Sequence, residues 1–348
     1  MNFASDNAAG VHPAVMAAIM AANDGSVPSY GADALSLAAE EMLREALGAP
    51  DAAVLFVATG TAANAIALGG AVAPWARIFC HEHAHIETSE CGAPEFFTHG
   101  AKLSLLSGEG GLIDADALDQ AASFWAGEGL GGGRPAAISI TNATEWGRIW
   151  QPDALAEISA IARQHGLCLH MDGARFANAV AAGGVSAAAL SHGAGVDILS
   201  FGGTKNGAMG AEAVIAFDPA MAERLAHLRK RGGHLLSKHR YLAAQFYALL
   251  QDDLWLRLAA HANDMAQMLA GGLTGAPGAR LLQPVETNQI FVTLPTDAED
   301  RAREAGARFH RWSPMGGEGP AEVSLRFVTS WNTTEAEVLA LLDVLTAP

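Results

Sequence analysis

Leu167-Cys168-Leu169-His170-Met171 is an apolar run that ends in Asp172-Gly173-Ala174-Arg175, and further along Phe201-Gly202-Gly203-Thr204-Lys205-Asn206-Gly207 carries one of only four lysines in the chain. The first run reads as a buried strand emerging at a carboxylate. The second closes the strand Asp197–Phe201 and emerges at an amine among glycines. Ligands of open α/β sheets bind at the carboxyl ends of strands. A carboxylate and a lysine placed there can keep a pyridine nitrogen protonated and form a Schiff base, which points to pyridoxal phosphate. The remaining lysines, Lys102, Lys230 and Lys238, leave few rivals for that bond. Arg175, close behind the carboxylate, is placed to reach the ring oxygen. The plainer alternative is that Asp172 caps the following helix.

Outward from these strands, apolar runs and amphipathic runs alternate. Strands are expected at Ala53–Val57, Arg77–Cys80, Lys102–Leu106, Ala136–Thr141 and Glu212–Phe217. Helices are expected from His12-Pro13, from Asp33 to Leu47, from Thr61 to Val72, from Asp114 to Trp125, and over Asp153–His165. Gly127 to Arg134 reads as a loop. This order predicts a mostly parallel sheet flanked by helices. Beyond about residue 220 the pattern changes to long helices, Leu235–Leu250 and Asp253–Leu269. Strands Gln289–Leu294 and Glu322–Val328 follow, with helices Asp297–Ala305 and Thr334–Leu345. The expected division is a large α/β domain over residues 1–245 and a smaller α+β domain over 246–348.

The 348 residues are 50% hydrophobic and carry a net charge of −16, which disfavours nucleic acid as a partner. No run is long enough to span a membrane, and no signal peptide is expected. The three cysteines, Cys80, Cys91 and Cys168, lack a metal or disulfide spacing and suit a reducing compartment, so a cytoplasmic location is expected.

Other motifs add chemistry. Thr59-Gly60-Thr61-Ala62-Ala63-Asn64 follows a strand and opens a helix, where free N–H groups and the helix dipole favour an anion; it has neither the Walker nor the dinucleotide pattern. Cys80-His81-Glu82-His83-Ala84-His85 sets histidines at alternate positions, which suits a metal only if the run is extended. A helix start at Ile86 would turn His85 away, so no metal is expected; His85 is better read as a ring against the cofactor. Arg326, embedded in an apolar strand, needs an anion: a substrate carboxylate or a structural ion pair. Arg229-Lys230-Arg231 and Lys238 form a cationic cluster, either an anion contact or a solvated helix face ending at Gly232-Gly233.

Together these segments resemble the low-specificity L-threonine aldolases, which belong to the aminotransferase-like, fold-type I pyridoxal phosphate enzymes. The resemblance runs nearly end to end through Ser5-Asp6, Tyr30-Gly31, Thr59 to Asn64, Ala84-His85, Glu90-Cys91-Gly92, Asp172 to Arg175, Lys205, Arg229-Lys230 and Arg326. It implies a Schiff-base lysine at 205, Asp172 at the pyridine nitrogen, Arg175 at the ring oxygen, and His85 stacked on the ring. It implies Gly60, Thr61 and Asn64 in the cofactor site, and Ser5, Tyr30, Glu90 and Arg326 around an amino-acid substrate. The activity implied is retro-aldol cleavage of L-threonine, L-allo-threonine and related β-hydroxy amino acids, phenylserine among them, to glycine and an aldehyde. The rival readings are β-elimination, hydroxymethyl transfer, or cofactor binding without turnover.

Such enzymes form dimers or dimers of dimers, a homotetramer, with sites between subunits. Tyr30, Arg229, Lys230 and Lys238 are therefore candidates for a neighbour's site. Two departures stand out. Thr204-Lys205-Asn206 replaces the Ser-Lys-Gly of many relatives. Asn142-Ala143-Thr144-Glu145-Trp146-Gly147 lacks the histidine that many carry near the substrate hydroxyl. Candidates for the hydroxyl base are then His85, Glu90 or an ordered water, and Trp146 is expected to favour bulky β-substituents.

Overall fold

The fold is a computed structural model that describes residues 1–312, 319 and 321–347. Its strands are β1 (Ala53–Val57), β2 (Ala76–His81), β3 (Lys102–Leu106), β4 (Arg134–Thr141), β5 (Cys168–Gly173), β6 (Ile198–Gly202), β7 (Glu212–Ala216), β8 (Arg280–Leu281), β9 (Gln289–Pro295), β10 (His310–Arg311) and β11 (Glu322–Val328). The first seven form one sheet in the order β1-β7-β6-β5-β4-β2-β3. Only β7 runs against its neighbours, so the sheet is mostly parallel, as the alternation predicts.

Side chains alternate across this sheet with period two. Val54 and Phe56 face one core and Leu55 and Val57 another. The helices that cover these faces are α1 (Pro13–Ala21), α2 (Ala34–Leu47), α3 (Gly60–Ala71), α4 (His85–Thr88), α5 (Ala93–Phe97), α6 (Ala115–Gly127), α7 (Pro152–His165), α8 (Phe176–Gly183), α9 (Ala222–Arg231) and α10 (Arg240–Leu250). Several begin at side-chain caps, with Asp33, Thr59 and Asp114 each accepting a backbone N–H. The glycine helix α3 is buried along nearly its whole length, which small residues alone permit.

The second sheet, β10-β11-β9-β8, is antiparallel. It packs on α11 (Leu254–Leu273), α12 (Thr296–Glu304) and α13 (Glu335–Leu345). Its core runs from Met265 onward and takes in Phe3 from the N-terminal arm. The large core extends through Trp255 and Ala259, so α11 contributes to both. None of the described helices is long and apolar enough to cross a membrane.

Two local expectations need correction. The helix expected from Leu235 begins only at Arg240: Gly233 (φ +79°) ends α9, and the following turn uses the Ser237 carbonyl to accept the Tyr30 N–H at 3.0 Å. The helix α9 realises the helix-face reading of Arg229 to Arg231, ending at Gly232-Gly233, and α5 and α8 are additional elements. So are the two-residue strands β8 and β10, too short to leave an alternating pattern.

Candidate active site

Register places the chemistry on one edge of the large sheet. Val57 and Gly202 both pair with Glu212, Thr141 pairs with Asp172, and Asp172 with Ser200. The carboxyl ends of β1, β4, β5 and β6 therefore meet the start of β7. A cavity of about 340 Å³ opens there, bordered by Gly60, Asn64, Asp172, Lys205 and Glu212. A second lobe of about 420 Å³ carries Ser5, His83, Trp312 and Arg326. Asn7, His85, Glu145, Arg175 and Lys205 border both. A surface cleft of about 490 Å³ beside α9 is roomier, but it lies away from the lysine.

Asp172, at the end of β5, is buried. Asn64 Nδ2 donates to its Oδ2 at 2.8 Å and the Ala174 N–H to its Oδ1 at 2.9 Å. The same Asn64 nitrogen donates to Glu90 Oε1 at 2.8 Å. His85 Nδ1 donates to that oxygen, also at 2.8 Å. The hydrogen bond to Glu90 raises the His85 pKa despite its burial. Burial raises that of Glu90. Beneath Asp172, His170 bridges Ser139 and Ser200 at 2.9 and 3.0 Å. Its burial pushes its pKa down to about 4, so it is a neutral support.

Lys205 follows β6 in a single helical turn and is half-buried. Burial, then the Arg175 guanidinium, hold its pKa below the ordinary lysine value against the pull of Asp6, Asp172 and Glu212. Burial also pushes the Glu212 carboxyl up to about 7. Arg175 is clamped by Asp6, Nε to Oδ2 at 2.7 Å and Nη2 to Oδ1 at 2.9 Å. Asp6 also accepts from Asn288 Nδ2 at 3.0 Å. Burial works to raise the Asp6 pKa, but Arg175 and Lys205 outweigh it and hold the carboxyl low.

At the phosphate-like end, Thr59 Oγ1 accepts the Ala62 N–H at 3.2 Å. The Gly60 and Thr61 N–H groups meet no acceptor among the described residues. A Cβ on Gly60 would meet nothing within 4 Å, so the turn faces open cavity. In the other lobe Arg326 Nη2 donates to the Ala4 carbonyl at 3.4 Å, and the guanidinium lies over the Trp312 ring at 4.9 Å. Its buried Nε is unpartnered, and burial brings its pKa down to about 10. No ion pair holds it among the described residues, which disfavours the structural-pair alternative.

Of the other histidines in this run, only His83 joins His85 in lining a lobe. His81 is buried with Nε2 at 3.0 Å from the Gly108 carbonyl, and His83 stacks on Trp146 at 5.3 Å. His85, Glu90 and Asp172 place ligand atoms within 4.8 Å of one another, but Asn64 already ties the two carboxylates together. Tyr30 is 49% exposed, with Lys230 Nζ at 4.9 Å over its ring; it borders neither lobe. Arg229, Lys230 and Lys238 also lie outside this chain's own cavity. Glu90 supports the site from behind the lobes rather than lining them.

Comparison with known proteins gives the family and the fold. Residues 2–297 match the beta-eliminating lyase family. The chain is 44% identical over 332 residues to a low specificity L-threonine aldolase of Pseudomonas aeruginosa, covering 95% of this chain and 93% of that one. It is 41% identical to a Pseudomonas sp. protein of the same name, covering 97% and 95%. The chain belongs to the low-specificity L-threonine aldolase family. The Leishmania major threonine aldolase superposes on this aldolase-family fold with a TM-score of 0.92 at 31% identity, over 99% of this chain and 98% of that one. A serine palmitoyltransferase of Sphingomonas wittichii shares the fold alone, with a TM-score of 0.73 at 16% identity. The architecture is that of the fold-type I enzymes.

Asp6, Asn7, Glu145 and Glu212 are among the site residues that sequence reasoning left without a role. Asp6 sits in an arm without periodicity, and Glu145 in an irregular turn. The one available signal was an acidic residue in each otherwise apolar or neutral stretch.

Proposed function

We propose that this chain cleaves L-threonine, L-allo-threonine and related L-β-hydroxy-α-amino acids to glycine and an aldehyde, using pyridoxal 5′-phosphate. The observation that carries the reading is the joined pair of lobes. One sets an amine with a lowered pKa opposite a buried carboxylate, and the other ends in an arginine that meets no anion among the described residues.

The residues fit the cofactor. The free N–H groups of Gly60 and Thr61 at the start of α3 would receive its phosphate. Asp172, oriented by Asn64, would hold the ring nitrogen, and Lys205 the aldehyde carbon. Bound there, the cofactor supplies an electron-poor ring able to accept the electron pair of a broken bond at Cα. The chain does the rest. Arg326 and Ser5 grip the substrate carboxylate, which orients the Cα–Cβ bond. Asp6 locks Arg175 so that its guanidinium stays at the junction of the lobes. His85, held through Glu90, supplies the flat wall between them. His83, which lines the second lobe and is backed by the stacked Trp146 and Phe291 rings, would face a bulky β-substituent. Tyr30, Arg229, Lys230 and Lys238 would serve the cavity of a second copy in a dimer or dimer of dimers. The large unit over residues 1–245 would carry the cofactor and the small unit over 246–348 the carboxylate grip.

The test is an absorption spectrum before and after borohydride, with peptide mapping of the adduct and product analysis. Label on Lys205 with glycine and acetaldehyde from threonine supports the reading. Label on Lys102, no adduct, or release of 2-oxobutanoate instead of glycine refutes it.

A further inference from the structure

Cleavage of a β-hydroxy amino acid requires a group to take the hydroxyl proton, and this inference rests on that reaction. Cα, from which the bond to be broken projects, joins the amine end at Lys205 to the carboxylate end at Arg326, so the group is sought where the two lobes meet. Five residues border both: Asn7, His85, Glu145, Arg175 and Lys205. Asn7 and Arg175 cannot take a proton, and Lys205 already carries the one that Cα receives. That leaves His85 and Glu145.

His85 is the poorer acceptor. Its Nδ1 is spent on Glu90 at 2.8 Å, and that contact favours its protonated form. Glu145 is held the other way round. Its Oε1 accepts the His85 backbone N–H at 2.8 Å and the Thr141 hydroxyl at 2.8 Å, which fixes the carboxyl over the ends of β4 and β5. Its Oε2 is shut from bulk water and meets no donor among the described residues. Of the charged groups around it, Asp172 faces it from β5, His85 from α4, and Lys205 and Arg175 across the cavity. Burial, then Asp172, raises its pKa, which brings a carboxyl closer to the proton affinity useful near neutral pH.

We propose that Glu145 is the catalytic residue that takes the proton of the substrate's β-hydroxyl through Oε2. The O–H bond breaks and its electron pair forms the aldehyde C=O. The Cα–Cβ bond breaks and its pair stays at Cα, which is closed to glycine by a proton from Lys205. The proton on Glu145 returns to the lysine across the cavity that both residues border, so no other reactant is needed.

The test is Glu145→Gln, which keeps an Oε1 acceptor for both donors. Three readouts are compared with wild type: acetaldehyde from L-threonine, exchange of the glycine Cα hydrogen in D2O by NMR, and stability of the cofactor-free protein against pH. Threonine cleavage should fall by at least ~10²-fold, while glycine exchange, which involves no hydroxyl, stays within a few-fold. A raised folded pKa makes wild type lose stability as pH climbs from the unfolded glutamate value of about 4.3 through the folded one. E145Q lacks that slope, so its advantage should widen across this window and then level off. Cleavage within about fivefold of wild type, where a general base is worth ~10²–10⁴-fold, overturns the proposal. So does equal loss of exchange and cleavage, or parallel stability curves. If E145Q does not fold, Glu145→Asp, which withdraws the carboxyl by one methylene, should lower cleavage and spare exchange; unchanged cleavage overturns the proposal. A wild-type protein that makes no acetaldehyde refutes the aldolase reading itself, whereas an active wild type with an equally active E145Q refutes only the role of Glu145.

Discussion

Asp6→Asn removes the charge that clamps Arg175 while keeping the side chain's shape. The Asp6 side chain is 1% exposed and that of Arg175 11%, so solvent and salt screen the pair little. Breaking a buried pair by removing one partner costs about 3–5 kcal/mol, because the remaining charge stays buried. The arm cannot simply peel away to escape that cost, since Phe3 is fully buried in the small core. Urea denaturation of the cofactor-free protein at pH 7 should therefore place D6N about 3 kcal/mol or more below wild type. Asp6 is held below its ordinary pKa. Its contribution is thus fully present above the unfolded aspartate value of about 3.9 and is lost as pH falls through the folded value. The gap between the two proteins should be flat near neutrality and close in acid. A gap under about 1 kcal/mol, the size of an exposed pair, or one that grows as pH falls, would refute this account of Arg175.

Three further outcomes are expected. Arg326→Leu should leave the cofactor-free fold at least as stable, since Arg326 has no anion of its own among the described residues. It should raise KM for threonine by about 10²-fold, the worth of a charged hydrogen-bonded contact; a stability loss without a KM effect would restore a structural role. Gly60→Val fills open cavity, so the melting temperature of the cofactor-free protein should hold while cofactor affinity, read by fluorescence titration, drops. Gly173→Ala would set a Cβ 2.7 Å from the Ser200 carbonyl oxygen, backbone that cannot yield, and should cost about 1–3 kcal/mol by denaturant midpoint.

The positions of Lys205, Asp172 and the turn that opens α3 were legible because each stands where a short apolar run stops, and such runs are local features. An unbroken apolar run such as Val54–Leu55–Phe56–Val57 names a buried strand without knowing its partner. Caps such as Asp33 and Thr59 act within three or four residues, so the starts of α2 and α3 could be read directly. The turn at 235–239 could not, because its carbonyl at Ser237 is claimed by Tyr30 far away in the chain.

The same distance explains what the folded chain alone decided. Asn64 reaches Asp172 across 108 positions and Arg175 reaches Asp6 across 169, and no periodicity encodes such pairings. Strand order, the reversal of β7 beside β6, and the meeting of two lobes at Glu145 follow from how sheets and helices bury one another. Residue order specifies which groups are available at each strand end, because backbone geometry is local. Which of them face one another is set by packing, because burial acts between segments that the covalent chain keeps far apart.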